Sequence, residues 1–230
     1  TSAGAQRIEL CASLETGGLT PSMGMAHNAV SVDTTVFAMI RPRAGDFDYS
    51  QSDIECMLSD IECLREAGIS GFVFGALDSQ GNLHERHLTK LLAACNGLPA
   101  TLNRCFDLCG DPVGALEGAI HMGFDRILTS GCSATVSSGL SLLQELFARA
   151  DDRIIIVPGG GVTPVSVAKL LDKLPLREVH ASCKRLLATK PTRSSAVNVG
   201  RSESQGRFGT DPNIVSELLG IINPSAEPAG

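Results

Sequence analysis

Residues 153–162 read RIIIVPGGGV, and residues 178–183, one helix later, read EVHASC. The run from Ile154 to Val157 is apolar and β-branched throughout, the pattern of a strand buried on both faces. Pro158 and three consecutive glycines end it. Thr163-Pro164 then opens a helix, with threonine at the N-cap and proline at the first helical position. A strand that empties into bare backbone ahead of a helix N-terminus makes a pocket for an anion. Gly159, Gly160 and Gly161 are therefore anion-binding candidates. Strand parity places Glu178, His180 and Ser182 on one face of the following strand, beside that pocket.

Outward from these two runs the same unit recurs. Strands are predicted to begin near residues 7, 35, 71, 100, 126, 153 and 178, each followed by a helix. Ser52 and Glu55 have capping-box spacing at the head of the second helix, and Asp111-Pro112 and Asp211-Pro212 open two others. Regular βα alternation means a parallel sheet, closed either as an open doubly wound sheet or as a barrel. Polar groups gather at the C-terminal ends of several strands: Cys11, Arg41, Asp107, Ser130, Gly159 and Ser182. That distribution favours an α/β fold of the TIM-type (β/α) barrel, whose sites are built at that end. Seven strands are visible where such barrels have eight. The expected organisation is one domain over 1–222, with a mobile polar loop at about 189–209 and a frayed tail over 223–230.

The chain of 230 residues is 43% hydrophobic with a formal net charge of −6. That is enough for one full core, and the balance carries no basic stretch that would track nucleic acid. No apolar run approaches the roughly 20 residues needed to span a bilayer. Eight cysteines without a CxxC pair read as reduced thiols in an intracellular protein.

Six stretches together resemble the CutC family of copper-homeostasis proteins: RIELCASLETGGLTPS (7–22), IRPRAGDFDYS (40–50), GFVFGAL (71–77), RILTSG (126–131), PGGGV (158–162) and EVHAS (178–182). The resemblance implies a TIM-type barrel that binds Cu(I), is cytoplasmic (the nucleus being the other compartment in view) and forms a homo-oligomer. It also implies an earlier strand carrying a cysteine, followed by a helix, ahead of Gly4. This sequence is expected to lack both, which accounts for the eighth strand. The family's F-H-R-A-F-D stands here as Leu102-Asn-Arg-Cys-Phe-Asp107. On this resemblance Cys11 carries over as a Cu(I) ligand, since Cu(I) prefers thiolate. Cys105, by parity, and His180 are candidates to join it.

Parity gives a second reading of the same face. Glu9, Arg41, Arg43, Asp107 and His180 are predicted to form one ionic network, because buried charges persist only when paired. In an enzyme acting on a small anionic or phosphorylated substrate, Glu9, Asp107 and His180 would be acid or base. Arg41, Arg43, Asn103, Arg104, Ser130, the three glycines and Ser182 would then bind charge. The remaining histidines (27, 84, 87 and 121) are predicted to be solvated surface groups.

Overall fold

The computed structural model describes residues 2–187 and 207–223. Six strands form one all-parallel sheet whose order is the order of the sequence: β1 (Arg7–Leu10), β2 (Thr35–Met39), β3 (Gly71–Phe74), β4 (Ala100–Leu102), β5 (Arg126–Thr129) and β6 (Ile155–Pro158). Helices α1 (Met23–Val30), α2 (Gln51–Glu66), α3 (Glu85–Ala94), α4 (Pro112–Met122) and α5 (Leu140–Ala150) connect them, and α6 (Pro164–Leu171) follows β6. Alternation along each strand divides the core. Val36, Ala38, Ile40, Phe72 and Phe74 pack with the helices, including Ile54, Met57, Ile61 and Leu64 of α2. Phe37, Met39 and Val73 form a separate, smaller cluster on the opposite face, with Cys11 against it. That second face is the inside of a ring. Arg7 on β1 and Arg126 on β5 both bind the carboxylate of Glu178, which a flat sheet could not bring together. At Gly71 a Cβ would lie 2.5 Å from the Phe37 ring, so the interior leaves no room for a side chain there.

Local signals explain most element ends. Thr163 caps α6 in a reciprocal capping box with Ser166, and Pro164 is the first helical residue, as expected. The box on α2 is Ser50 with Asp53 rather than Ser52 with Glu55. The two pairs share the same spacing, and the chain uses the earlier one. Gly123 closes α4 in the left-handed region, φ 92°.

The expected seventh strand is not a strand. Between 178 and 182 the chain makes one isolated parallel bridge, Gly159 to His180, with the His180 N–H donating to Pro158 O at 2.9 Å. A strand needs a ladder, and on its far side this segment meets β1 only through side chains: Arg7 with Glu178, and Glu9 with His180. The sheet is therefore six strands plus a bridge, curled as a half-barrel, and among the described residues the outer edge of β1 pairs with no strand.

After the bridge the chain forms an antiparallel hairpin, β7 (Lys184–Leu187) with β8 (Arg207–Thr210). Residues 207–209, expected in the mobile loop, thus belong to a strand held by that ladder. The rest of the expected loop from 189, and the tail from 224, lie outside the described residues. α7 (Pro212–Ile222) ends where the sequence predicts and packs on α6 through Leu218, Val167 and Cys183. Two of the surface histidines are half-buried instead. His84 and His87 stack with ring centroids 3.6 Å apart, because His84 is the N-cap of α3 and accepts from the His87 amide. No described helix is long and apolar enough to cross a membrane.

Candidate functional site

The best-ordered polar group at the C-terminal end of the sheet is built on Asp107. β4 stops at Leu102 because the Asn103 side-chain oxygen accepts from the Cys105 N–H at 2.9 Å, turning the chain into a 3-10 turn over Arg104–Leu108. Asn103, Cys105 and Asp107 therefore do not alternate along a strand: Asn103 and Cys105 both pack against Gly75, and Asp107 turns away from them. The turn instead swings Asp107 toward the end of β5. There its carboxylate accepts from the Thr129 hydroxyl, the Ser130 N–H and hydroxyl and the Cys132 N–H, and from Arg104 Nε at 2.7 Å. Arg104 donates from Nη2 to Ser130 Oγ at 2.8 Å. Its guanidinium lies flush against Gly160, where a Cβ would come within 3.1 Å of Cζ. Asp107, Arg104, Ser130 and Gly160 are thus brought together from the ends of β4, β5 and β6.

The other predicted charges do not join them. Glu9 Oε2 lies 3.6 Å from His180 Nδ1, a separate pair across the gap in the ring. Arg41 is only 6% exposed, yet it meets no carboxylate. Its guanidinium donates to the carbonyls of Thr16, Gly18 and Gly45 and stacks on the Phe47 ring, tying together the loops after β1 and β2. Arg43 faces outward to Asp46, Asp53 and the Asp48 carbonyl, over the Tyr49 ring. The single ionic network is corrected to four separate groups: Asp107 with Arg104, Glu9 with His180, Arg41 on carbonyls, and Arg43 with Asp46 and Asp53. Arg43 and Asp107 find partners close in sequence, Arg41 bridges two adjacent loops, and Glu9 meets only His180. Glu9, Asp107 and His180 accordingly do not converge as one acid–base set, and Ser182 is exposed on the bridge segment.

Around Cys11 the chemistry is soft. A Cβ at Gly18 would lie 3.4 Å from Cys11 Sγ and 3.5 Å from Met39 Cε, so the thiol and the methyl end of the thioether side chain approach the same glycine. Asn103 Nδ2 reaches Met39 Sδ at 4.0 Å. Burial, then the charges of Glu9 and Glu15, raise the Cys11 thiol above its usual pKa. Cys105 is elsewhere: it is fully buried, its sulfur occupies the space a Cβ at Gly75 would take, and burial raises its pKa far more. Among the described residues no three His, Cys, Asp or Glu side chains form a metal-holding group. The expected set of Cys11, Cys105 and His180 is therefore not assembled, since the 3-10 turn carries Cys105 into the outer core. Met39 was missed from the sequence, although parity was a usable signal. It lies two residues before Arg41 on β2, on the ring's inner face with Phe37.

Comparison with known proteins bears on the whole of this arrangement. The family model described as CutC family matches residues 1–185. The chain belongs to the CutC family. A CutC family protein of Agrobacterium fabrum is 44% identical over 96% of this chain and 87% of its own length. The human copper homeostasis protein cutC homolog is 42% identical over 94% of this chain and 80% of its own. A crystal structure of CutC from Streptococcus agalactiae superimposes with a TM-score of 0.73 at 31% identity, covering 76% of this chain and 87% of that one. The family frame thus holds for the curled parallel sheet described above, and CutC relatives extend over nearly all of it.

Proposed function

We propose that this chain is a copper homeostasis protein that binds Cu(I) at the mouth of the ring, with Cys11 as the thiolate and Met39 as a thioether donor. The observation that carries the reading is the approach of both side chains to Gly18. Thiolate and thioether are the ligands that select Cu(I) over harder cations. The half-buried, raised thiol is no obstacle, because metal binding displaces the proton. The name of the human relative, a copper homeostasis protein cutC homolog, supports a role in copper homeostasis. All eight cysteines are free thiols, which fits a reducing compartment, and we place the protein in the cytoplasm.

The test is a titration of the reduced protein with Cu(I) against a competing chelator. Cys11→Ser is expected to lower the affinity by at least about tenfold, and Met39→Leu to lower it less, because a neutral thioether is the weaker donor. Unchanged affinity and stoichiometry in Cys11→Ser would overturn the proposal. Copper binding should also be weaker at lower pH, since protons compete for the raised thiol.

A further inference from the structure

Most arginines among the described residues spend their guanidinium on carboxylates or carbonyls. Arg104 gives only its Nε to a carboxylate, and it sits at a place the copper reading does not use. A guanidinium has five N–H donors. Arg104 commits Nε to Asp107 and one Nη2 proton to Ser130, and its side chain remains 42% exposed. It is held in position from one side by two buried groups: Asp107, 7% exposed at its side chain, and Ser130, which is fully buried. Asp107 does not simply cancel its charge, because that carboxylate is shared among the Thr129 hydroxyl, both Ser130 donors and the Cys132 amide.

Opposite the guanidinium lies bare backbone. A Cβ at Gly160 would stand 3.1 Å from Arg104 Nη1 and 3.2 Å from Ser130 Cβ, so glycine lets the guanidinium pack directly against this backbone. Gly160 and Gly161 both have positive φ, 103° and 69°. Among the described residues neither of their amides has a hydrogen-bond partner, whereas the Gly159 amide is taken by Thr129 O. Fixed N–H donors beside a pre-oriented arginine fork are the chemistry of oxyanion recognition.

We propose that Arg104 and the Gly160–Gly161 backbone bind the phosphate group of a small phosphorylated ligand. The fork and two amides on separate residues match the three terminal oxygens of a phosphate monoester. A planar carboxylate offers only two oxygens. The site is independent of Cys11 and Met39, so it stands or falls apart from the copper reading.

The experiment is a titration of the full chain with inorganic phosphate, followed by amide chemical shifts, with methyl phosphate and acetate as parallel arms. Saturable shifts centred on the Gly160, Gly161 and Ser130 amides are expected for both phosphates, and none for acetate. Methyl phosphate binding more tightly than inorganic phosphate would identify an ester as the ligand. Arg104→Gln is expected to weaken binding by at least about tenfold. Gly160→Ala, whose Cβ would push the Arg104 guanidinium out of place, should do the same without removing charge. No saturable shift in the wild-type chain would overturn the proposal, as would shifts centred elsewhere or equal binding of acetate. Undiminished binding in Arg104→Gln would do so too. The wild-type map decides even if a variant folds poorly.

Discussion

Glu178→Gln is expected to lower the melting temperature by about 5–15 °C. Its carboxylate takes Arg126 Nε at 3.0 Å through both oxygens and also binds the Arg7 guanidinium. All three side chains are mostly buried, and both arginines lie over the Phe37 ring, with centroid distances of 4.9 and 5.6 Å. A neutral amide would leave two neighbouring cations partly desolvated with no counter-charge, a loss of about 2–4 kcal/mol for groups not fully buried. For a domain of this size each kcal/mol is worth about 2–4 °C. Adding Arg7→Met should restore part of the loss, since it removes one of the two cations left repelling each other. An additive double variant, measured by thermal unfolding, would contradict this account. The same group sets a pH dependence. Burial pushes the Glu178 carboxyl up, but the hydrogen bonds and charges of Arg7 and Arg126 outweigh it and hold the carboxyl below its usual value. A lowered carboxylate contributes stability that is present above the unfolded pKa and lost as pH falls through the folded one. Wild-type stability should therefore drop in acid, and Glu178→Gln should flatten that part of the profile.

Asp107→Asn should be at least as costly, and for a different reason. The carboxylate meets only donors: one guanidinium, two hydroxyls and two backbone amides. Asparagine keeps the shape but replaces one acceptor oxygen with an NH2 that confronts the same donors. Buried donors left unmade cost about 1–3 kcal/mol each, so a total of about 3–5 kcal/mol is expected, read as a lower urea midpoint at unchanged slope. Arg104→Gln should cost much less in the same assay, because that side chain is half-exposed. If both substitutions proved equally mild, Asp107 would not be the group that joins the end of β4 to the end of β5.

The runs at 153–162 and 178–183 show what can be read from residues alone. Ile155–Pro158 is a strand, the glycines follow it, and Thr163-Pro164 starts α6. Each of those signals is local: a β-branched run, a missing Cβ, a cap. Alternation along β1 and β2 places Arg7 and Cys11 with Phe37 and Met39, and Glu9 beside His180. The readings that failed depend on what lies across a gap. EVHASC alternates as a strand should, but a ladder needs a second backbone, and 178–182 has one only at Gly159–His180. The strand expected over 100–106 stopped at 102 because one asparagine side chain satisfied a backbone amide, which apolar periodicity does not register. Arg41 and Arg43 do not share a network, because Arg41 donates to carbonyls of two adjacent loops and Arg43 pairs with Asp46 and Asp53. The Asp107 cluster was legible as residues but not as an arrangement, since the 3-10 turn that aims it left no periodic trace.

The order of the sheet also bears on how the ring forms. Every ladder joins strands consecutive in the chain, so each can form soon after its neighbour with only one crossover to close. The contact between Arg7 and Glu178 spans 171 positions and must wait for everything between. Closure is then a late event resting on side chains rather than on backbone pairing. The corner between β1 and the bridge segment is accordingly where the native state opens first, without the rest of the sheet having to unfold.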